Sequence, residues 1–314
     1  MTEDRCIPVK LYHSVDELPG ALRHGAVAIG KFDGVHWGHV RIIERLLAMS
    51  RSMRAPALVF TFDPPPEKIL RADRAGAPLC WIERKARLLA ELGVDAVVAY
   101  PTNEEFLRTK ARVFFEETLR RRLDARAIVE GPDFCFGHDR LGTVEQLRRF
   151  CQEAGVALEV VDRVEIKGRT VSSSRIRSLV AAGQVDDARK LLGRPHRIRG
   201  RVVRGAGRGM KLGFPTANLE HIDTLLPGEG VYATRALLDN DSYPAAVSIG
   251  DNSTFGETGL KVEAYLIDFA GTLYDRTVEL DFLARLRDIN RFDSVEALVA
   301  QMGRDVAAVR RIVQ

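Results

Sequence analysis

The sequence predicts an α/β protein in two parts. A parallel sheet covered on both faces by helices is followed by an antiparallel barrel or sandwich with one more helix at its end. Three observations carry this. At 314 residues the chain is longer than a single core usually grows, so two domains are expected. In the first half, short apolar runs alternate with amphipathic segments of helical spacing, the pattern of a parallel sheet. In the second half the runs follow one another across glycine, proline and Asp/Asn clusters with no helical spacing between them.

In chain order, "AVAIG" (26–30), "ALVFTF" (57–62), "VDAVVAY" (94–100), "ARAIVEG" (125–131) and "VALEVVD" (156–162) read as strands. Segments 38–52, 81–92, 104–121 and 143–154 read as the helices between them. The rhythm changes after "SSSRIRSLVAAGQVDDARKLLGRP" (172–195). From there "RIRGRVV", "GVYATRAL", "AAVSIG", "KVEAYLID" and "RTVELDFL" are strands, and 293–313 returns to helical spacing. The boundary falls near residue 186, giving domains 1–185 and 186–314. No internal repeat or low-complexity linker interrupts them.

Composition excludes several classes. The 47 basic residues nearly balance 43 acidic ones, a net charge of +4, so charge alone implies no general attraction to nucleic acid or membrane. Cys6, Cys80, Cys135 and Cys151 form no C-x-x-C pair, which argues against a zinc ribbon, a dithiol motif or a disulfide framework. No stretch approaches the length of a spanning helix, and "MTEDRCIPVK" has no apolar signal core. A soluble, cytoplasmic protein is expected.

The segment "GKFDGVHWGH" (30–39) carries the first candidate site. In an open parallel sheet, ligands bind beyond the carboxyl ends of strands, where helix N-termini favour anions. Gly30 and Gly34 permit a tight turn, and Gly38 lets a ligand approach the backbone. His36 and His39, at i and i+3, share a helix face and can reach one phosphate. That suits nucleotidyl transfer, in which an ionised phosphate attacks and catalysis reduces to positioning and charge neutralisation. Taken alone, H-x-G-H fits equally a helix mouth with two surface histidines. Metal binding is disfavoured, since no third ligand lies nearby in sequence. "TFDPPP" (61–66), "GPDFCFG" (131–137) and "SSSRIR" (172–177) point to the same sheet edge. Ser173 and Ser174 can cap the helix they open, and Arg177 can bind a polyphosphate oxygen.

The second candidate is "VVRGAGRGMKLGFPTANL" (202–219). Its glycines suggest a phosphate cradle, yet it fits neither a P-loop nor the dinucleotide spacing, and it leads to Pro215 rather than a helix. A hairpin tip is the plain alternative. Thr216 and Asn218, two apart in an extended stretch, project to one side and offer oxygen ligands for Mg²⁺ with nucleotide phosphates. Arg204, Arg208 and Lys211 add positive charge. Glu263 in "KVEAYLID" alternates onto the face of Lys261 and Tyr265 and is the candidate general base. An ordinary charged residue on a solvated strand face fits the same spacing.

"GKFDGVHWGH", "TFDP", "GPDFCFGHDRLGT" and "SSSRIR", in this order, resemble the adenylyltransferase module of the bacterial bifunctional riboflavin kinase/FAD synthetase family. "GFPTAN" resembles that family's flavokinase signature, and the likeness extends over the whole chain. The resemblance implies a Rossmann-like nucleotidyltransferase domain, then a riboflavin kinase-like antiparallel β-barrel with a terminal helix. It implies phosphorylation of riboflavin to FMN and adenylylation of FMN to FAD, with ATP as co-substrate and Mg²⁺ as cofactor. Gly30, Phe32, Asp33, Gly34, Gly38, Ser173, Ser174 and Arg177 are then expected at one ATP, with His36 and His39 catalytic. Gly205, Gly207, Arg208 and Lys211 are expected at the other, with Thr216 and Asn218 at the metal and Glu263 as base. Asp63, Asp133 and Phe134 are expected on the flavin side of the first cleft. Two departures stand out. Pro65 occupies the position after Asp-Pro where the family usually has histidine, leaving open a kinase whose first half only binds nucleotide. Ser253 in "DNSTFG" (251–256) stands where the family commonly has proline.

A nucleic-acid-binding reading rests on the basic stretch 194–211, in which Arg197, Arg199 and Arg201 share a strand face. Few aromatics interleave those charges, and ATP accounts for them. The expected partners are therefore riboflavin, FMN and ATP, with no nucleic acid and no membrane; self-association is left open.

Overall fold

In the computed structural model, residues 10–70, 76–205, 207–251 and 260–313 are described. The chain divides into two units, Met1–Gly76 with Trp81–Ser172, and Ala77–Cys80 with Ser173–Gln314. The segment "DNSTFG", apart from Asp251, lies outside the described residues, as do Cys6 and the side chain of Arg208.

In the first unit, β1 (Leu11–Tyr12), β2 (Ala26–Ile29), β3 (Ala57–Asp63), β4 (Ala96–Pro101), β5 (Ala127–Glu130) and β6 (Ala157–Val160) form one parallel sheet. Their order is β1-β4-β3-β2-β5-β6. Alternation explains why the strands read as unbroken apolar runs, because both faces are covered. Val27, Leu58, Phe60, Val98 and Ile128 enter one apolar layer. Ala28, Ala57, Val59, Val97 and Val129 enter the other. Helices α1 (Trp37–Met53) and α3 (Ile82–Glu91) supply Ile43, Leu46, Ala86 and Leu89 to the second layer, with the short α2 (Pro66–Leu70) preceding α3.

The segment expected as one helix over 104–121 is instead α4 (Glu104–Leu107), then α5 (Ala111–Val113) continuing as a π-helical stretch, Phe114–Arg122. The wider winding brings Phe114, Phe115 and Leu119 together into the first layer, where α6 (Val144–Ala154) adds Leu147 and Cys151. A small hairpin of β7 (Glu165–Ile166) and β8 (Arg169–Thr170) follows.

The second unit opens with α7 (Ser173–Ala181) and α8 (Val185–Leu192). The contact division therefore precedes these helices, whereas the change of rhythm in the sequence falls near 186. Packing explains it: Val185 enters the barrel core, and the Gly228 N–H donates to the Val180 carbonyl at 3.0 Å.

The strands β9 (His196–Val203), β10 (Ala217–Glu220), β11 (Gly230–Leu238), β12 (Asp241–Asp251), β13 (Leu260–Leu266) and β14 (Thr277–Arg287) close a barrel in the order β10-β13-β12-β11-β14-β9. Closure settles barrel against sandwich. The loop 204–216 contains a one-turn helix, α9 (Arg208–Lys211), where the sequence suggested none. Helix α10 (Val295–Val313) packs Val309 against Ala233 and Ile267 on the barrel's outside.

Candidate functional site

Strand order places the first site. From β2 the chain lays β3 and β4 to one side and β5 and β6 to the other, so the crevice of this sheet opens at the carboxyl end of β2. The loop 30–36 occupies that point. Gly34 lies in the left-handed region at φ 81°, and the β-branched Val35 is held at φ 39°, where such residues are rarely found. Phe32, Asp33, Val35 and His36 are all buried.

His36 caps α1. Its Nδ1 accepts the His39 backbone N–H at 3.4 Å, which leaves the ring proton on Nε2. The His36 and His39 rings stack, 3.7 Å between centroids and 14° apart in plane, with Phe32 tilted against His39 at 5.1 Å. Two parallel imidazoles this close can each offer a proton to neighbouring oxygens of one polyphosphate. Gly38 also makes room for the ring: a Cβ there would come within 3.0 Å of His36 Cε1. Likewise a Cβ on Gly30 would meet the Phe32 ring at 3.2 Å.

Asp63 ends β3, its carbonyl accepting the Thr102 N–H at 3.3 Å. In the loop after β5, Phe134 stacks on Phe136 at 5.3 Å. Asp133 is clasped by Arg163 through both carboxylate oxygens, one of them at 2.8 Å from Nε. That guanidinium holds the Asp133 carboxyl below the usual carboxylate range. Ser173, Ser174 and Arg177 lie on α7, in the second unit. Ser173 and Ser174 are the first two helical residues, which leaves Ser172 at the position before the helix.

Two residues of this region carried no signal in spacing. Arg163 is one. Glu130, at the end of β5, is the other: it is buried and accepts the Ile29 N–H at 2.6 Å across the switch between β5 and β2. Burial pushes its carboxyl well above the usual range, and backbone hydrogen bonds from Ile29 and Gly131 oppose that only in part.

The second site is a cavity of about 540 Å³ in the second unit. Register builds its polar end. Asn218 on β10 stands directly opposite Glu263 on β13, and Ser248 on β12 flanks Glu263 on the other side. Directly opposed residues on neighbouring strands bring their side chains together on one face. Along β13, Val262, Ala264 and Leu266 enter the barrel core while Lys261, Glu263 and Tyr265 line the cavity.

The glycines of the loop make room. A Cβ on Gly205 would fall 2.1 Å from Asn218 Nδ2. One on Gly209 would fall 2.3 Å from the Phe214 carbonyl oxygen and 3.1 Å from Thr216 Oγ1. Gly205, Gly207, Thr216 and Arg204 line the cavity, and the Arg204 guanidinium lies 5.6 Å from the Tyr274 ring. Lys211 is exposed and lies outside the lining.

The far wall was not foreseen. Arg287 at the end of β14, with Ile289 and Phe292 just beyond it, lines the cavity together with Leu298, Met302 and Val306 of α10. Asp305 on α10 accepts from Arg287 at 2.8 and 3.1 Å, tying the helix to the strand. The i, i+4 spacing of Leu298, Met302 and Val306 was legible as an apolar face, though not as a cavity wall.

The arginine stripe of β9 pairs with carboxylates. Arg197 holds Asp281 and Glu279 at 2.7 and 2.8 Å, Arg199 holds Asp223 at 2.7 Å, and Arg201 holds Asp275 at 2.9 Å. Its charge is therefore matched on the barrel itself. Among the described residues, no group of three or more His, Cys, Asp or Glu could hold a metal ion. Nor is any described helix long and apolar enough to cross a membrane.

Comparison with known proteins gives two domain matches. Residues 19–175 match the family model described as FAD synthetase, and residues 192–313 the one described as riboflavin kinase. A Pseudomonas fluorescens protein named bifunctional riboflavin kinase/FMN adenylyltransferase is 37% identical over 92% of this chain and 93% of its own. The protein of that name from Escherichia coli (strain K12) is 33% identical over 96% and 97%. A crystal structure named as a macrolide-efflux protein from Streptococcus pneumoniae superposes with a TM-score of 0.85 at 31% identity, covering 96% of this chain and 98% of that one. Its name differs from those of the relatives; what it shares with this chain is the fold.

Proposed function

The chain belongs to the family of bifunctional riboflavin kinase/FMN adenylyltransferases, and from that premise we propose how its residues divide the two reactions. It carries both a riboflavin kinase and an FAD synthetase domain, so the bifunctional reading displaces the kinase-only one that Pro65 left open. ATP is the co-substrate of both steps, and riboflavin and FMN are the flavin substrates. We assign adenylyl transfer to 1–185 and phosphorylation to 186–314.

The two steps ask different things of a protein. In the kinase step the ribityl hydroxyl attacks the γ-phosphorus, its proton passes to a base, and ADP leaves. Glu263 is that base. The apolar wall of Ile289, Phe292, Leu298 and Met302 receives the flavin ring, and the loop of Gly205 and Gly207 covers the triphosphate, with Arg204 adding charge. The Thr216 and Asn218 side-chain oxygens suit a hard divalent cation such as Mg²⁺, and Gly205 and Gly209 leave the room those two side chains take up. When bound, such an ion neutralises phosphate charge.

In the adenylyl step an oxygen of the FMN phosphate attacks the α-phosphorus and pyrophosphate leaves. That phosphate is already ionised, so no base is needed. His36 and His39, with the N–H groups at the mouth of α1, neutralise the charge on the polyphosphate. Asp33 adds to the ATP contacts, and Asp63, Asp133 and Phe134 meet the flavin nucleotide.

The observation that most supports this division is the opposition of Asn218 and Glu263, which sets an oxygen ligand beside a carboxylate on the cavity face. Assaying the steps separately tests it. Riboflavin with ATP and Mg²⁺ should yield FMN, and supplied FMN should yield FAD and pyrophosphate in equal amounts. A Glu263→Gln chain that phosphorylates riboflavin at the wild-type rate would refute the assignment of the base.

A further inference from the structure

Behind the histidine loop lies a buried cation that the two reactions as described do not use. Lys85, in the first turn of α3, is 5% exposed. Its Nζ approaches Thr61 Oγ1 at 3.4 Å. Thr61 is fully buried on β3, and its hydroxyl donates to the Lys31 carbonyl at 3.2 Å. Lys31 lies in the loop that runs on to Phe32, Asp33 and His36. The chain Lys85–Thr61–Lys31 thus ends on the backbone that forms the crevice of the sheet.

An ammonium has three protons to donate, and among the described residues the Thr61 hydroxyl is its polar partner. One neutral oxygen at 3.4 Å replaces water poorly. Two other lysines have a carboxylate partner: Lys31 pairs with Glu67, and Lys190 with Asp187 at 2.7 Å. Lys85 has no described carboxylate within ion-pair distance, and the hydrogen-bonded chain that starts at it ends on the loop leading to His36, where a bound polyphosphate would attract it. In a poorly polarisable surrounding that attraction is felt further than it would be in water.

We propose that Lys85 is a positioning residue for the nucleoside triphosphate and the departing pyrophosphate, fixing loop 30–36 through Thr61 and placing positive charge behind it. This rests on the adenylyl-transfer reading of the site. The first requirement is a wild-type full-length chain that forms FAD from FMN and binds inorganic pyrophosphate; failure there refutes that reading rather than the role of Lys85.

Given that activity, Lys85→Met should raise the KM for ATP in FAD formation and weaken pyrophosphate binding in calorimetry, each about tenfold or more. Lys85→Arg should recover most of both, and Thr61→Val should move both in the same direction by less. Riboflavin phosphorylation at the wild-type rate reports an intact chain. If Lys85→Met keeps its KM for ATP and its pyrophosphate affinity within about twofold of wild type, Lys85 only packs and the proposal falls. If Lys85→Met loses the kinase reaction too, Thr61→Val decides, and unchanged values in that variant overturn the proposal.

Discussion

The two candidate sites are built in opposite ways. At the sheet edge, one continuous segment does most of the work. A strand ends, a strained turn follows, and a helix begins with two stacked imidazoles, so spacing along the chain makes the site. In the barrel, residues far apart in sequence meet by register, Asn218 against Glu263, and the glycine loop contributes chiefly the room it leaves. Chemistry follows architecture. The sheet edge offers imidazoles and backbone N–H groups, enough when the attacking group is already an anion. The barrel offers a carboxylate, which an attacking alcohol needs.

The largest expected effect separates the two at once. Glu263→Gln should slow riboflavin phosphorylation by about 10²–10⁴ while FAD formation from supplied FMN proceeds at the wild-type rate. Equal loss of both, in coupled-product assays, would mean a folding defect and no division of labour. The mirror experiment is His36→Ala, for which FAD formation should fall by about 10²–10³ with phosphorylation intact. An unchanged FMN-to-FAD rate would remove the stacked pair from the mechanism.

Gly205→Ala sharpens the contrast in how glycine is used. The new methyl would strike the Asn218 amide, the far end of a side chain that can rotate away. Thermal stability should hardly change, while kcat/KM for phosphorylation falls by about 10². A variant of full kinase efficiency would show that the amide has no role there.

Glu130 gives the smallest effect. Its carboxyl is raised in the folded chain, so the folded state keeps a proton that the unfolded state gives up from about pH 4.5 upward. The stability it contributes is full below that pH and is lost as pH rises through the folded value. Glu130→Gln should flatten this fall, changing Tm at pH 8 by about 2–4 °C relative to wild type. Parallel pH profiles for the two chains would exclude it.

What could be read from the sequence tracks the same contrast. The sheet was legible because strands buried on both faces, such as 57–63, are unbroken apolar runs and the helices between them are amphipathic. The histidine site was legible because it is local. Strand β1, two residues long, gave no pattern, and the π-helical turn at Phe114 was hidden because its aromatic spacing also fits an ordinary helix. In the barrel, Thr216, Asn218 and Glu263 could be picked out by type and alternation, yet their meeting depends on pairing between β10 and β13. The cavity wall from α10 depends on how that helix docks. Lys85 left a faint trace, a cation on the apolar face of the segment 81–92. The glycines mark a loop that needs room, and only the positions of Asn218 and Thr216 show which side chains take up part of it.

The most direct test is the stoichiometry with which the wild-type chain binds a non-hydrolysable ATP analogue in the presence of Mg²⁺, measured by calorimetry. Two analogue molecules per chain are predicted, with the His36→Ala chain retaining one. A single molecule bound per wild-type chain would contradict the account.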